Sequence, residues 1–219
     1  MNDTSINCSQ FISGQVIVRN EYINKLINMF GSHNIQKINS ILNSIADLLE
    51  LCGEDVSRDG LTETPFRFMK AFYEYSSGYR EDPKRHLDKV FNIDSCSDIV
   101  LVRDINFDST CEHHLVRFYG VAHIAYIPSN KIVGLSKFAR LVDGYAKRFQ
   151  TQERLTGQIA KAIEEKINPK ALAVIIEAKH SCICGRGAKK SNSKTSTIIM
   201  RGEFESNENV RSKLMFLLK

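Results

Sequence analysis

Cys111, Glu112, His113 and His114 occupy consecutive positions in the segment DSTCEHHLVRF. A thiol and an imidazole three residues apart, Cys111 and His114, can both point at one ion if the chain makes a tight turn or a single helical turn there. Zinc suits that pair of donors. Two ligands do not make a site, so a third must come from elsewhere. The segment KHSCICGRG offers His180, Cys182 and Cys184. If it is a strand, alternate residues share a face and all three project the same way. Cys182 is the best third ligand. Two arrangements stay open at this level. Three protein ligands with an open position describe a catalytic zinc that activates water, whereas a fourth ligand from Cys184 or His180 would close a structural site. The bland alternative is two unrelated polar turns with one buried cysteine. Cys8, Cys52 and Cys96 have no histidine nearby in sequence and are expected to be structural.

Such a cluster needs a scaffold. Of the 219 residues, 42% are hydrophobic and 25% charged, as in a soluble globular protein. No apolar run is long enough to span a bilayer. The N-terminus lacks a basic stretch followed by an apolar one, so a secretory signal is not expected. The expected location is the cytoplasm, where thiols stay reduced and are available as ligands. A net charge of +5 and a pI near 8.8 suit an anionic substrate without demanding nucleic acid. The basic residues concentrate between Lys179 and Lys194, where composition alone suggests a solvated loop.

Hydrophobic periodicity places the elements. The segment EYINKLINMF carries some helix, and GSHN (Gly31–Asn34) is a break. Ile35, Ile38, Ile41, Leu42, Ile45, Leu48 and Leu49 recur at helical spacing, with Gly53 as a stop. Another helix starts near Thr64-Pro65, with proline in the first turn. The segments 98–107 and 116–127 are rich in β-branched and aromatic residues and read as strands, the second ending in a turn at Pro128–Lys131. Two amphipathic helices come next. One carries Phe138, Leu141, Val142, Tyr145 and Phe149 on one face; the other carries Leu155, Ile159, Ala162, Ile163 and Ile167 and stops at Asn168-Pro169. Two further strands, ALAVIIEAKHSCIC and TSTIIMRGEF, and a closing helix complete the chain. Strands, two helices, then strands predict an α+β fold with a mostly antiparallel sheet.

Several segments together, in order, resemble the GTP cyclohydrolase I family: GEDVSRDGLTETPFRF, STCEHHLVRFYGVAHIAYIP, KIVGLSKFARLVDGYAKRFQTQERLT, EAKHSCICGRG and NSKTSTIIMRGEF. The similarity runs from about Ile35 to the C-terminus. It implies the tunnelling fold (T-fold), a four-stranded antiparallel sheet with two helices on one face. The organisation expected is a variable N-terminal extension (1–34), a helical subdomain (35–97) and a catalytic domain (98–219). The resemblance also implies a homodecamer with active sites between subunits. Ring closure would remove the open sheet edges that are otherwise a liability. The reaction implied opens the imidazole ring of GTP, releases formate and closes a new ring to give 7,8-dihydroneopterin triphosphate.

Matched position by position, the resemblance assigns the zinc ligands to Cys111, His114 and Cys182. It leaves His113 free for proton transfer, and it gives His180 a second acid/base role near the ribose. An imidazole titrates near neutral pH and suits both tasks. Glu153 of the QER segment, with Gln152 beside it, would recognise guanine through the ring N–H and exocyclic amine. Ser136 is expected at a helix N-cap, where N–H groups favour anions. With Lys137, Arg140 and Arg186 it would hold the triphosphate. The chain departs from the family pattern at Arg117, where proline is common, at Ile198, where serine is common, and around Cys182, where Ser181, Ile183, Cys184 and Gly185 replace bulkier residues.

Overall fold

The computed structural model describes residues 10–12, 15–17, 20–93 and 98–218. Cys8 and Cys96 lie outside them. The chain divides into two compact units, residues 1–74 and 75–219.

The first unit holds a short antiparallel pair, β1 (Gln10–Ile12) and β2 (Gln15–Ile17), and helices α1 (Asn20–Phe30) and α2 (Ile35–Leu51). Nearly all of α3 (Thr64–Tyr75) also belongs to it. Gly31, at φ 90°, makes the expected break between α1 and α2. Leu26, Ile38, Leu42, Phe66 and Met69 form its core, and Tyr22 stacks on Phe66. The apolar stripe of α2 is only partly used, because Ile41 and Leu48 are exposed. Cys52, expected to be structural, is exposed at the C-cap of α2.

The second unit is built on β4 (Val100–Cys111), β5 (Arg117–Ile127), β8 (Ala171–His180) and β9 (Thr195–Gly202), which pair antiparallel in that order. Two helices, α4 (Ser136–Ala146) and α5 (Gln152–Ile167), cover one face. Strand alternation explains why the sheet has two cores. Ala122, Ile124 and Tyr126 of β5, with Leu172, Val174 and Ile176 of β8, face α4 and α5. Ala125, Ile127, Ala171 and Ala173 face the other way and pack against Phe204 of α7 (Glu203–Ser206) and Leu214 of α8 (Glu208–Leu217). A further short pair joins β3 (Val90–Asn92) to β6 (Lys131–Val133).

The sheet exceeds the four strands anticipated by one short member. β7 (Phe149–Gln150) runs parallel to the end of β4 and pairs Gln150 with Cys111. Phe149 therefore leaves the face of α4 on which its spacing had placed it. Strand β8 ends earlier than expected, at His180, and Ser181–Cys184 forms the short helical turn α6. The helix after Thr151 starts and stops as its sequence dictates. Thr151 caps it, its Oγ1 accepting from Arg154 N at 3.2 Å, and Asn168 ends it in the left-handed region at φ 41° before Pro169. Close strand approach is visible at Gly120, where an added Cβ would lie 1.9 Å from the Glu177 carbonyl oxygen. Among the described residues, no helix is long and apolar enough to cross a membrane.

Candidate metal centre

The turn after β4 explains why Cys111 and His114 converge. Leu115 N–H donates to the Cys111 carbonyl at 2.8 Å, which closes a single helical turn. Residues three apart then share a side, and Cys111 Sγ lies 3.9 Å from His114 Nδ1. Leu115 reverses the chain from the left-handed region, at φ 55°. Cys111 N–H donates to Val116 O at 2.9 Å, so the turn is locked at both ends. Cys182 enters from α6, and the donor atoms of Cys111, His114 and Cys182 all lie within 4.8 Å of one another.

Cys182 meets Cys111 and His114, but for a different reason from the one anticipated. His180, Cys182 and Cys184 do not share a strand face, because the backbone turns helical after His180. That turn brings Cys182 to the group and takes Cys184 away from it. Cys184 Sγ faces Ser193 O at 3.8 Å, and among the described residues no fourth His, Cys or carboxylate completes the set. Two thiols and an imidazole fit a zinc site with a position left open. Burial, and then the neighbouring Cys111, push the Cys182 thiol above its usual range. A bound cation reverses that balance by stabilising both thiolates.

His113 and His114 are both exposed, their rings 6.3 Å apart and nearly perpendicular. His113 is thus separate from the three-donor group. His180 stacks on Phe118 with ring centroids 4.5 Å apart and planes 3° off parallel. Burial lowers its pKa, opposed by the nearby Glu153 carboxylate, and so favours the neutral ring.

Gln152 departs most from its expected role. It is buried, and its Nε2 faces Ile176 O at 3.0 Å, Thr195 O at 2.9 Å and Thr197 Oγ1 at 3.1 Å. The two carbonyls can only accept, so the amide orientation is unambiguous. Gln152 Oε1 must therefore accept from His180 Nε2, 2.8 Å away. This places the proton of neutral His180 on Nε2 and leaves Nδ1 as the acceptor. The Gln152 amide group is occupied within the protein, whereas Glu153 beside it is exposed. Gln152→Ala removes the donor that Ile176 O, Thr195 O and Thr197 Oγ1 share and takes the acceptor from the His180 N–H. It is expected to destabilise the protein by about 2 kcal/mol, which urea unfolding would measure.

The cations are placed less tightly. Arg186 is exposed but close enough to lower the Cys182 pKa in part. Ser136 is the first residue of α4 and not its cap; Leu135 holds that position. Lys137 N and Phe138 N already donate to Gly134 O and Leu135 O, which reduces the free N–H groups available there. Among the described residues, no hydrogen bond or ion pair links the side chains of Ser136, Lys137 or Arg140 to the cysteine–histidine group. Arg117 has its own partners. It reaches Asp108 Oδ2 and Thr110 Oγ1, both at 2.5 Å, and lies 4.0 Å over the Tyr75 ring. Lys189, Lys190 and Lys194 are exposed, as the loop reading required.

Sequence reasoning missed two residues beside this centre. Arg154 donates to Glu112 and, at 2.5 Å, to Phe149 O. Both stand inside the CEHH and QER segments, yet only the folded chain shows them in contact.

The family model for GTP cyclohydrolase I matches residues 41–219. The GTP cyclohydrolase 1 of Campylobacter lari is 48% identical over 175 residues, covering 80% of this chain and 92% of the relative. That of Chlorobium phaeovibrioides is 48% identical over 180 residues, covering 82% and 81%. That of Pelotomaculum thermopropionicum is 46% identical over 192 residues, covering 87% and 98%. A solved structure of apo archaeosine synthase QueF-Like overlaps with a TM-score of 0.42 at 18% identity, covering 49% of this chain and 96% of that one. With a turn-borne Cys–x–x–His, a converging Cys182 and matches of this extent, the chain belongs to the GTP cyclohydrolase I family, T-fold hydrolases acting on cyclic amidine C–N bonds.

Proposed function

We propose that this chain is an active, zinc-dependent GTP cyclohydrolase I. It adds water across the imidazole ring of GTP, releases formate, rearranges the ribose and closes a new ring to 7,8-dihydroneopterin triphosphate. The observation that carries this reading is the convergence of Cys111, His114 and Cys182 within 4.8 Å without a fourth protein donor among the described residues.

When bound, zinc supplies the Lewis acidity that makes water nucleophilic at the imidazole carbon. The chain's own residues do the rest. His113, outside the ligand set and exposed, delivers a proton to the guanine nitrogen beside that carbon. His180, held by Gln152 through Nε2 and with no partner at Nδ1 among the described residues, acts as the acid/base at the ribose. Exposed Glu153 accepts from the ring N–H and amine of guanine. Gln152 positions His180 and does not itself meet the base. Ser136, Lys137, Arg140 and Arg186 hold the triphosphate, by charge more than by helix N–H groups. Residues 98–219 form the catalytic domain, after an extension (1–34) and a helical segment (35–97). Ten copies assemble with active sites between subunits, in the cytoplasm, where reduced thiols remain available to zinc.

Zinc-loaded protein incubated with GTP is expected to release formate and a pterin that fluoresces after oxidation, both lost on chelation. Zinc-loaded protein that yields neither would overturn the reading.

A further inference from the structure

The metal ligands come from two segments that are not neighbours in the sheet. Cys111 ends β4 and His114 lies in the turn after it, Cys182 follows β8, and β5 lies between these strands. The first turn of α5 touches the flanks of both. Gln152 and Arg154 are two positions apart, so their side chains leave the helix roughly 200° apart. Gln152 reaches the β8 side and holds His180, two residues before Cys182. Arg154 reaches the other way, to Glu112, the residue between Cys111 and His113.

The Arg154 contact is more than a surface ion pair, a kind of interaction that usually contributes little. Its guanidinium also donates to Phe149 O at 2.5 Å and, through Nε, to Gln150 Oε1 at 2.9 Å. Gln150 is buried and donates to Tyr145 O and Gln158 Oε1. Glu112 N–H in turn donates to Gln150 O at 3.0 Å. Arg154 is therefore oriented by a buried amide before it meets the carboxylate. The carboxylate belongs to the same turn as Cys111 and His114.

We infer that Arg154 is a positioning residue for the metal centre. Acting through Glu112, it sets the Cys111–His114 turn at the distance from Cys182 that zinc requires, while Gln152 holds the opposite side. The inference rests on reading Cys111, His114 and Cys182 as zinc ligands. Groups that orient metal ligands without touching the ion typically change affinity by roughly 10–100-fold.

The test compares wild type with Glu112→Gln, Arg154→Gln, Arg154→Lys and Glu112→Gln/Arg154→Gln. Zinc affinity is measured by competition with a chromophoric chelator, and site geometry from the visible spectrum of the cobalt-loaded protein. Each single glutamine variant is expected to weaken zinc binding roughly 10–100-fold and to alter the cobalt bands. Arg154→Lys should recover part of the loss, and the double variant should be no worse than the weaker single one. Asn207→Ala, which removes the side-chain cap of α8 on the other face of the sheet, is the control for general destabilisation and should bind zinc as wild type does. Wild-type zinc affinity and cobalt spectra in the glutamine variants would overturn the inference, as would an equal loss in Asn207→Ala. Failure of wild type to bind zinc at all would instead remove the metal-centre reading on which it rests.

Discussion

Cys182→Ala is expected to release zinc and to lower GTP turnover by about 10³-fold or more. A metal acting as Lewis acid contributes several kcal/mol to the transition state, and each 1.36 kcal/mol is tenfold in rate. Removing Cys182 leaves one thiol and one imidazole, both from a single turn, with no third donor grouped with them among the described residues. The fold should survive, because Cys182 is only half-buried and α6 is a short turn at the end of β8. Thermal unfolding of the metal-free variant should accordingly match metal-free wild type. Cys184→Ala supplies the contrast. Its thiol faces Ser193 O and lies outside the three-donor group, so zinc content and turnover should both be retained. Loss of metal in Cys184→Ala would restore the closed, structural site that the sequence alone left open. Zinc affinity should also fall as pH falls. Binding displaces thiol protons, and burial and Cys111 hold the Cys182 proton more tightly than usual.

His113→Ala is expected to separate chemistry from metal binding. His113 lies outside the three-donor group and is exposed, so the variant should keep full zinc and an unchanged melting temperature. Turnover should nevertheless drop by roughly 10²–10⁴-fold, the usual worth of a positioned general acid. The change should fall on kcat more than on KM, because proton delivery matters in the transition state and little in binding. Steady-state kinetics with metal analysis on the same preparation would check it. Loss of zinc from His113→Ala would assign that imidazole to the metal and leave the adjacent His114 without its role.

The particular residues show why some of this was readable in the sequence and some was not. Cys111 and His114 were legible because a three-residue spacing is a local constraint, and one closed turn satisfies it. The helices α4 and α5 were legible because Phe138, Leu141, Leu155 and Ile159 repeat at the helical period and are all buried. Cys182 was found by the alternation of a strand, but that strand ends at His180; the pattern HSCIC does not distinguish a strand from a helical turn. β7, at two residues, carries no periodicity. The internal contacts of Gln152 were not legible because its partners, Ile176 O, Thr195 O and Thr197 Oγ1, lie on strands distant in sequence. A buried amide looks no different from an exposed one until the sheet that surrounds it has formed. Arg154 and Glu112 were missed for the same reason, lying 42 residues apart.

The central claim is a three-ligand zinc with one place free for water. X-ray absorption at the zinc edge of stoichiometrically loaded protein measures it most directly. Two sulfur scatterers at about 2.3 Å, one imidazole nitrogen and one further light atom are predicted. Three sulfurs, two imidazoles, or a protein that holds no zinc would contradict it.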